Sequence, residues 1–509
     1  MIGIVLLCIL YAVCSVMLLA YGMQCYLLTF LFLKQRKSKT AQQRSTMKYF
    51  DAITDECEYP KVVTQLPMYN EKTVAVRAIE AAAAMDYPRS RHEIQVLDDS
   101  NDETRTYVDD TVARLQMQGV RVSVIRRKDR VGYKAGALQN GLNHTEAEFV
   151  AIFDADFVPT PSFLKHSIAF FIGKPKLGLV QGRWGHLNAK ASLITRGQAM
   201  GIDGHFMVEQ AARSWNGLFM NFNGTAGVFR RTAIESAGGW HHDTLTEDMD
   251  LSYRMQLTDW QTEYVPDSEV RAEIPEDINA FKSQQFRWAK GSIQTAIKIL
   301  PLLIKKRIPP FKFIQAVLHL THYVVHPLML IMALLSMPVL LLVKVTMMPA
   351  LFAVVVFAMV LATSGPSTMY MVSQHYLGNT GFRKMLLIPA MMLLGTGLAV
   401  SNGKAVLEAL FNMKSPFLRT PKKGEAKSTA YRSRKDFTGI VELALGAYCL
   451  LSFYMFFGYS NFVVSPFLML YASGFMFVGS ISLIHFRKPE VIDLMPDALF
   501  RQTKPVVAV

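Results

Sequence analysis

The stretch Val150–Thr160, VAIFDADFVPT, begins with a run of apolar residues and then changes abruptly to carboxylates and turn residues. Its first residues predict a buried strand of a parallel sheet, and Asp154-Ala155-Asp156 then lies where that strand ends. Open α/β sheets bind ligands outside the carboxyl ends of their strands. Two carboxylates in this place suit a divalent cation that also contacts phosphate oxygens, because Mg²⁺ takes one or two protein carboxylates in such sites. A solvated turn after a strand has the same pattern, so the motif alone leaves both interpretations open.

Strands and helices are predicted to alternate over residues 45–300, where the composition is that of an ordinary globular domain. The predicted strands are Val62–Leu66, Ile94–Leu97 and Val120–Ile125, and the predicted helices between them are Thr73–Met85 and Glu103–Gln118. This order predicts a doubly wound α/β domain whose polar strand ends line one crevice. The sequence has neither a GxGxxG fingerprint nor a Walker phosphate loop, which disfavours dinucleotide-binding and P-loop domains.

Composition separates this middle region from the two ends of the chain. The 509 residues are 51% hydrophobic and only 18% charged, and the formal net charge is +14. Basic runs flank the apolar segments instead of forming one stripe, which indicates positive-inside charge at a membrane and disfavours nucleic-acid binding. Four of the five cysteines lie in apolar segments and no CxxC spacing occurs, which disfavours a disulfide framework or a structural zinc site.

The apolar ends predict a multi-pass membrane protein. Residues 2–33 carry no charge and exceed the roughly 20 residues that a spanning helix needs. The cluster KQRKSK follows this run, whereas a signal peptide has its basic residues before a shorter core, so a retained anchor is predicted. The predicted segments are an anchor at 1–34, interfacial helices at 281–312, two spans in 313–372, interfacial or re-entrant helices with a loop in 373–436, two spans in 437–486 and a cytosolic tail at 487–509.

Two further polar motifs follow the Asp-x-Asp sequence. Thr246-Glu247-Asp248 precedes a predicted helix, where it can serve as an N-cap while an acid points into the crevice. Gln284, Arg287 and Trp288 share one helix face by their spacing. Arg offers a planar fork for a diphosphate and Trp an apolar face for a sugar ring, although an amphipathic interfacial helix alone would explain the same spacing.

In chain order, these motifs resemble the full set of the processive family 2 glycosyltransferases, the group of the cellulose, hyaluronan and chitin synthases. The set is Asp98-Asp99, Asp154-x-Asp156, Thr246-Glu247-Asp248 and Gln284-x-x-Arg287-Trp288. The amino-acid sequences of Ile94–Ser100, Phe222–Val228 and Glu247–Leu251 are similar to those of the plant cellulose synthase-like A and C proteins (mannan and glucan synthases) and their bacterial relatives. The resemblance covers about residues 60 to 300 and implies a nucleotide-sugar-binding domain of the GT-A type.

The resemblance also implies roles for individual residues. The donor-binding residues would be Asp98, Asp99, Lys134, Asp154, Gln284 and Arg287. Asp154 and Asp156 would bind Mg²⁺ or Mn²⁺. Asp248, with Glu247 beside it, would be the general base of a single displacement with inversion, so that an α-linked donor gives a β-linkage. The acceptor-binding residues would be Trp288, Phe222, Asn223 and Gly224.

A segment near residue 420 is similar to the gating loop of cellulose synthases. Phe417, Thr420 and Lys422 match the Phe-x-Val-Thr-x-Lys motif, whereas Arg419 stands where valine is usual. A basic cytosolic loop between membrane segments is the alternative interpretation.

These expectations combine into a membrane-embedded enzyme that polymerises a β-linked glucan, mannan or glucomannan from a UDP- or GDP-hexose and can export it. The expected partners are the donor, the growing polysaccharide, membrane lipid and an accessory export subunit. The location is a plasma or inner membrane, or a Golgi membrane, with the catalytic domain cytosolic. Transfer of one sugar to a lipid is the alternative enzyme. A second alternative is a transporter with a non-catalytic domain. It would give a role to His319, His322 and His326, which recur within one predicted span.

Overall fold

The structure is a computed structural model that describes residues 2–51, 56–342, 349–379, 386–414, 437–458 and 465–487. Its strands are β1 (Val62–Met68), β2 (His92–Asp98), β3 (Val122–Ile125), β4 (Phe149–Ile152), β5 (Leu177–His186), β6 (Gly227–Arg230) and β7 (Gln261–Ala272). Its helices up to β7 are α1 (Ile2–Asp51), α2 (Ala75–Ala83), α3 (Thr104–Met117), α4 (Tyr133–Leu142), α5 (Phe163–Ala169), α6 (Leu193–Asp203), α7 (Gln210–Trp215), α8 (Arg231–Ser236) and α9 (Glu247–Leu257). After β7 follow α10 (Ile278–Lys306), α11 (Pro310–Leu320), α12 (Val325–Leu342), α13 (Pro349–Tyr376), α14 (Leu387–Gly397), α15 (Ala399–Leu410), α16 (Thr438–Gly458) and α17 (Ser465–Arg487).

The seven strands form one mixed sheet in the order β3-β2-β1-β4-β6-β5-β7. Strands β1 to β4 are parallel, and β6 runs antiparallel to both β4 and β5. The strand order reverses between β1 and β4, so the chain leaves the two strands in opposite directions and opens a crevice at their carboxyl ends. The predicted α/β class is confirmed, with the addition of an antiparallel strand.

Burial explains why the strands could be read from the sequence. All four residues of β4 are buried, and β1 is buried at six of its seven positions, as expected for strands covered by helices on both faces. The predicted strand Val62–Leu66 extends by two residues to Met68. The apolar run at Val150 therefore delivers Asp154 and Asp156 to the edge of the crevice.

Helix α1 links the apolar part of the protein to the sheet without a break. It runs through residue 45, where the globular domain was predicted to begin. Leu28 and Phe32 pack in one core cluster with sheet residues, and Phe50 packs in a second. Gln43 donates hydrogen bonds to Glu263 Oε1 at 2.6 Å and to the Tyr264 carbonyl at 2.8 Å, both on β7. The anchor and the domain are therefore mechanically one element.

The region predicted to hold two spans, 313–372, begins with a helix that packs on the domain, because the chain forms two helices between Pro310 and Leu342. Helix α11 ends at Leu320, and a short 3₁₀ turn at His322–Val324 precedes α12. The apolar side of α11 packs against α9 and α10 of the domain, and His319 Nδ1 lies 2.6 Å from the Tyr253 hydroxyl. Packing and hydrogen bonding thus hold α11 on the domain, and they account for His319 without a transport pathway.

Five helices in the described part of the chain are long and apolar enough to cross a membrane. They are Ile2–Lys48, His322–Val339, Ala353–Tyr376, Thr438–Met455 and Pro466–His485. Helices α14 and α15 form a pair bent by 42°, which would add a sixth crossing if the pair spans as one unit. Such a bend is what a re-entrant pair requires.

Close backbone contact joins α1 to α13. A Cβ atom added to Gly22 would lie 2.4 Å from Ala362 Cα, and one added to Gly365 would lie 2.2 Å from the Gly22 carbonyl oxygen. Small residues that let two backbones approach are a main source of helix association in membranes, where the surrounding lipid is as apolar as the side chains.

We expect Gly22→Val to disrupt the α1–α13 contact, since the added side chain meets backbone that cannot move away. Overpacking of this kind costs roughly 1–3 kcal/mol. The Tm and the yield of monodisperse protein in detergent should both fall. Gly3→Val is the matched control, because a Cβ atom there meets nothing within 4 Å. Equal behaviour of the two variants would contradict the packing.

Candidate active site

The crevice at the strand ends holds a cavity of about 230 Å³. Most of the residues singled out by the sequence motifs line it: Asp99, Lys134, Asp154, Asp156, Asn223, Gly224, Glu247, Asp248, Gln284, Arg287 and Trp288. They come from separate strand ends, from the start of α9 and from the first half of α10. The fold therefore brings together groups that are up to 189 positions apart, from Asp99 to Trp288.

Lys134 on α4 connects three sides of this cavity. Its Nζ lies 2.5 Å from Asp154 Oδ1, donates to the Gly224 carbonyl at 2.8 Å, and lies 4.0 Å from Glu247 Oε1. Although burial opposes its charge, the Asp154 and Glu247 carboxylates raise the pKa of Lys134. The ammonium is thus a fixed positive charge among carboxylates.

The two acids at the start of α9 have raised pKa values. Burial, followed by repulsion from Glu247, raises the pKa of Asp248 to about 8. Burial also raises the pKa of Glu247, against the attraction of Lys134. The Asp248 Oδ1 atom accepts from its neighbour's backbone at Met249 N, at 2.8 Å. An aspartate with such a pKa can accept a proton near neutral pH.

The N-cap that the sequence predicts for α9 is absent. The Thr246 hydroxyl lies 3.1 Å from Thr295 Oγ1 and makes no hydrogen bond to the first turn of α9.

Asp98 and Asp99 differ in their positions, although the sequence could not separate them. Asp98 is fully buried, accepts from Arg126 Nε at 2.9 Å and does not line the cavity, so its predicted donor contact is not supported. Asp99 lines the cavity and pairs with Arg127, whose Nε lies 3.0 Å from Asp99 Oδ1. Since β2 and β3 are parallel with Leu97 opposite Ile125, the two acids at the end of β2 face the two arginines that follow β3.

Phe222 and Asn223 are neighbours in the sequence, but only the Asn223 side chain lines the cavity. The Phe222 ring is buried in the core 4.8 Å from the Phe229 ring and does not line the cavity, so the predicted acceptor contact of its side chain is not supported. Asn223 does line it. Its Oδ1 accepts from Gln181 at 2.8 Å and from Gln210 at 2.5 Å, and its Nδ2 lies 3.2 Å from His205 Nε2. These contacts determine which way the Asn223 amide points.

Aromatic and basic groups that no motif indicated complete the cavity wall. Trp184 at the end of β5 lies with its ring 6.3 Å from the ring of Trp288. Arg130 Cζ lies 3.3 Å above the centre of the Tyr69 ring, and both residues line the cavity. The signal that could have found Trp184 is its place at the end of a buried strand beside the crevice.

Asp154 and Asp156 offer oxygen ligands in the cavity, which is the donor chemistry that Mg²⁺ and Mn²⁺ prefer. A second group with metal-ligand atoms within 4.8 Å of one another consists of His241, Asp243 and Asp250. There the Lys298 ammonium lies 3.1, 2.8 and 2.9 Å from these three side chains, respectively. That cluster is therefore a lysine-centred ion-pair network. Asp154 also contacts a lysine, Lys134, but it lies with Asp156 on the wall of the cavity.

The gating-type residues Phe417, Thr420 and Lys422 lie outside the described residues. Their predicted role stays a prediction.

The seven-stranded mixed sheet and the carboxylates at its strand ends define a GT-A type domain. Residues 60–291 match the sequence profile described as "Glycosyltransferase like family 2". The resemblance to this family is thus confirmed over these residues.

Relatives with known names are similar to the same part of the chain. "Probable glucomannan 4-beta-mannosyltransferase 10" of Arabidopsis thaliana is 44% identical over 253 residues, 49% of this chain and 46% of the relative. "Glucomannan 4-beta-mannosyltransferase 7" of the same plant is 42% identical over 274 residues, 52% of this chain and 49% of the relative. The chain thus spans about half the length of the relatives it matches. The mannosyltransferase PcManGT from Pyrobaculum calidifontis, solved in complex with GDP-Man and Mn²⁺, aligns with a TM-score of 0.49 at 19% identity, covering 77% of this chain and 100% of that one.

The raised pKa of Asp248 predicts a pH-dependent stability. A carboxyl group with a raised pKa in the folded protein stabilises the fold below its ordinary pKa, and this stabilisation is lost as the pH rises through the folded value. For Asp248 that window runs from 3.8 to about 8. We expect Asp248→Asn to raise Tm relative to the wild type, by a margin that widens across this window. Thermal unfolding in detergent at several pH values measures it, with the exposed Asp110→Asn as control. A margin independent of pH would contradict the buried, protonated state.

Proposed function

We propose that this protein is a membrane-embedded inverting glycosyltransferase that extends a β-linked mannan, glucomannan or glucan from a nucleotide-activated hexose. The observation that carries the proposal is the gathering of Lys134, Asp154, Asp248, Arg287 and Trp288 around one cavity, at the strand ends of a family 2 domain. Named relatives are glucomannan 4-β-mannosyltransferases, which favours a mannosyl donor and a 1,4-linkage.

The donor would lie across the crevice with its diphosphate on the cationic side. Asp99, which pairs with Arg127, would contact the nucleoside, while Lys134 and Arg287 would supply positive charge for the diphosphate. Asp154 and Asp156 would hold Mg²⁺ or Mn²⁺, which when bound offsets the charge of the leaving diphosphate. Lys134 has to serve both Asp154 and the donor, and its raised pKa keeps it charged throughout.

Transfer would proceed by a single displacement. The acceptor hydroxyl attacks the anomeric carbon, a new carbon–oxygen bond forms, and the bond from that carbon to the diphosphate oxygen breaks. The nucleoside diphosphate leaves with the electron pair, and Asp248 takes the hydroxyl proton. A raised pKa suits this role, because a base is most effective when its pKa lies near the working pH. One base on the side opposite the leaving group gives inversion, hence a β-linkage.

The acceptor end of the glycan would rest on the aromatic side of the cavity. Trp288 and Trp184 present neighbouring rings, on which the apolar faces of sugar units can lie. The side chains of Asn223 and Gln284 line the same cavity and offer polar groups to the glycan. An exported polymer would pass the apolar helices that pack against α10, and Phe417, Thr420 and Lys422 would contact it there. We further propose that the domain lies on the cytosolic side of a plasma, inner or Golgi membrane, and that an accessory export subunit is a partner in export of the glycan.

We expect purified protein in vesicles with Mn²⁺ to incorporate radiolabel from GDP-mannose into material that resists lipid extraction and is degraded by a β-1,4-mannanase. Asp248→Asn should lose this activity by at least about a hundredfold, because general-base contributions are typically 10²–10⁴. Asp110→Asn, an exposed acid on α3, is the matched control. UDP-glucose and other UDP-hexoses are supplied as donors in parallel reactions.

Each result of that experiment decides between functions. Label found only in the lipid extract would replace polymerisation by transfer of one sugar to a lipid. Incorporation from a UDP-sugar alone would keep the mechanism and reject the mannosyl donor. No transfer from any donor by folded protein would overturn the proposed function.

Metal dependence tests the role of the Asp-x-Asp motif separately. We expect Asp156→Asn to raise the Mn²⁺ concentration for half-maximal activity by at least about tenfold, an effect that even outer-shell changes commonly reach. Mn²⁺ binding measured by electron paramagnetic resonance should weaken in parallel. An unchanged Mn²⁺ dependence would place the cation elsewhere.

A further inference from the structure

Helix α10 is the element that separates the cavity from the apolar helices. Its residues Gln284, Arg287 and Trp288 line the cavity. Its opposite sides pack against α14 and α17 through Ile278 and Phe281, and against α15 through Ala289 and Ile293. The same helix thus contacts the substrate-binding space and the apolar helix bundle.

A buried ion pair ties the start of α10 to the last two helices. Lys282 Nζ lies 2.7 Å from Glu442 Oε1 on α16, and both side chains are almost completely buried. The ammonium also donates to the Thr438 hydroxyl at 2.7 Å and to the Ser482 hydroxyl at 3.3 Å. The N-terminal third of α10 is therefore anchored to α16 and α17.

A second buried ion pair ties the middle of α10 to the bent helix pair. Lys290 is 1% exposed, and its Nζ lies 2.9 Å from Glu408 Oε2 on α15. It also donates to the Met413 carbonyl at 2.5 Å. Lys282 and Lys290 are eight positions apart, roughly 12 Å along the helix axis, and the cavity-lining residues of α10 lie between them.

Gly291, which follows Lys290 on α10, contacts the segment that carries the proposed general base Asp248. A Cβ atom added to Gly291 would lie 2.5 Å from Thr246 Cγ2 and 2.9 Å from the Thr246 backbone nitrogen. Gln294 Oε1 accepts from the Leu245 backbone N–H at 3.0 Å, and the hydroxyls of Thr295 and Thr246 are 3.1 Å apart. Asp248 lies two residues after Thr246, so a movement of α10 would also move Asp248.

We propose that Lys290 and Glu408 are positioning residues of the transfer reaction: their ion pair sets the position of α10 along its axis, and α10 thereby sets the distance between Asp248 and Trp288. This inference rests on the proposed role of Asp248 as base. The physical reason lies in the burial. The Lys290 ammonium contacts the Glu408 carboxylate and the Met413 carbonyl in this register, and a shift of α10 by one turn, about 5.4 Å, would break both contacts at a buried charge. Apolar packing such as that of the cluster containing Ala289 and Val406 tolerates sliding far better, since it is not directional.

The test separates positioning from stability by removing both charges together. Lys290→Met alone should lower the yield of folded protein, because the largely buried Glu408 carboxylate loses its contact with the Lys290 ammonium. The double variant Lys290→Met with Glu408→Met should recover yield and Tm, since replacing a buried pair by apolar residues of similar size is often neutral or stabilising. Its kcat should nevertheless stay at least about tenfold below the wild type with donor KM within about twofold, because misplacement by about 1 Å is costly in catalysis.

The control is the exposed ion pair Lys306–Asp259, which also joins α10 to a residue after α9, at 2.8 Å. Lys306→Met with Asp259→Asn removes that pair and should leave kcat unchanged. Full wild-type kcat in the buried double variant would overturn the proposal.

Hydrogen exchange gives a measure that does not depend on turnover. Backbone amides of Leu245–Leu257 should exchange faster in the Lys290→Met, Glu408→Met variant than in the wild type and in the control. Unchanged exchange there would also overturn the proposal. If the wild type transfers no sugar while this difference is present, the proposed function fails and the linkage between α15 and the base segment stands.

Discussion

The Lys134 ammonium is the group on which the cavity depends. Asp154 and Glu247 lie on different elements, and their partly buried carboxylates would repel one another. Lys134 lies between them, and it also donates to the Gly224 carbonyl of the segment that leads into β6. One partly buried cation therefore fixes the relative positions of the Asp-x-Asp motif, the start of α9 and the Asn-Gly turn. The raised pKa values of the acids at the start of α9 follow from the same enclosure.

Helix α10 has the corresponding role between the domain and the apolar helices. Its ion pairs with α15 and α16 hold it from one side, and its contacts with Thr246 and the Leu245 backbone hold the base segment from the other. Helix α1 joins the same two regions through packing of Phe32 and hydrogen bonds of Gln43. Because two continuous helices connect them, the sheet domain and the apolar bundle cannot be treated as modules joined by a flexible linker.

Much of this architecture could be predicted because it rests on local patterns. Buried parallel strands leave continuous apolar runs such as the one before Asp154, and carboxylates at their ends mark the crevice. The break at Thr321 could not be read in this way, since an apolar helix that packs on a domain and one that crosses lipid have similar composition. Hydrogen bonds of His319 and Gln315 inside the protein decide that case.

By itself the sequence determined the α/β class, the apolar ends and most of the residues that meet at the cavity, because periodicity and residue chemistry are properties of short segments. Only the tertiary structure decided between Asp98 and Asp99, buried Phe222 in the core, and added Trp184 to the cavity wall. It also paired Asp98 with Arg126 and Lys290 with Glu408, across 28 and 118 positions. The energy of a buried charge depends on which partner reaches it, and that partner is chosen by the packing of distant elements.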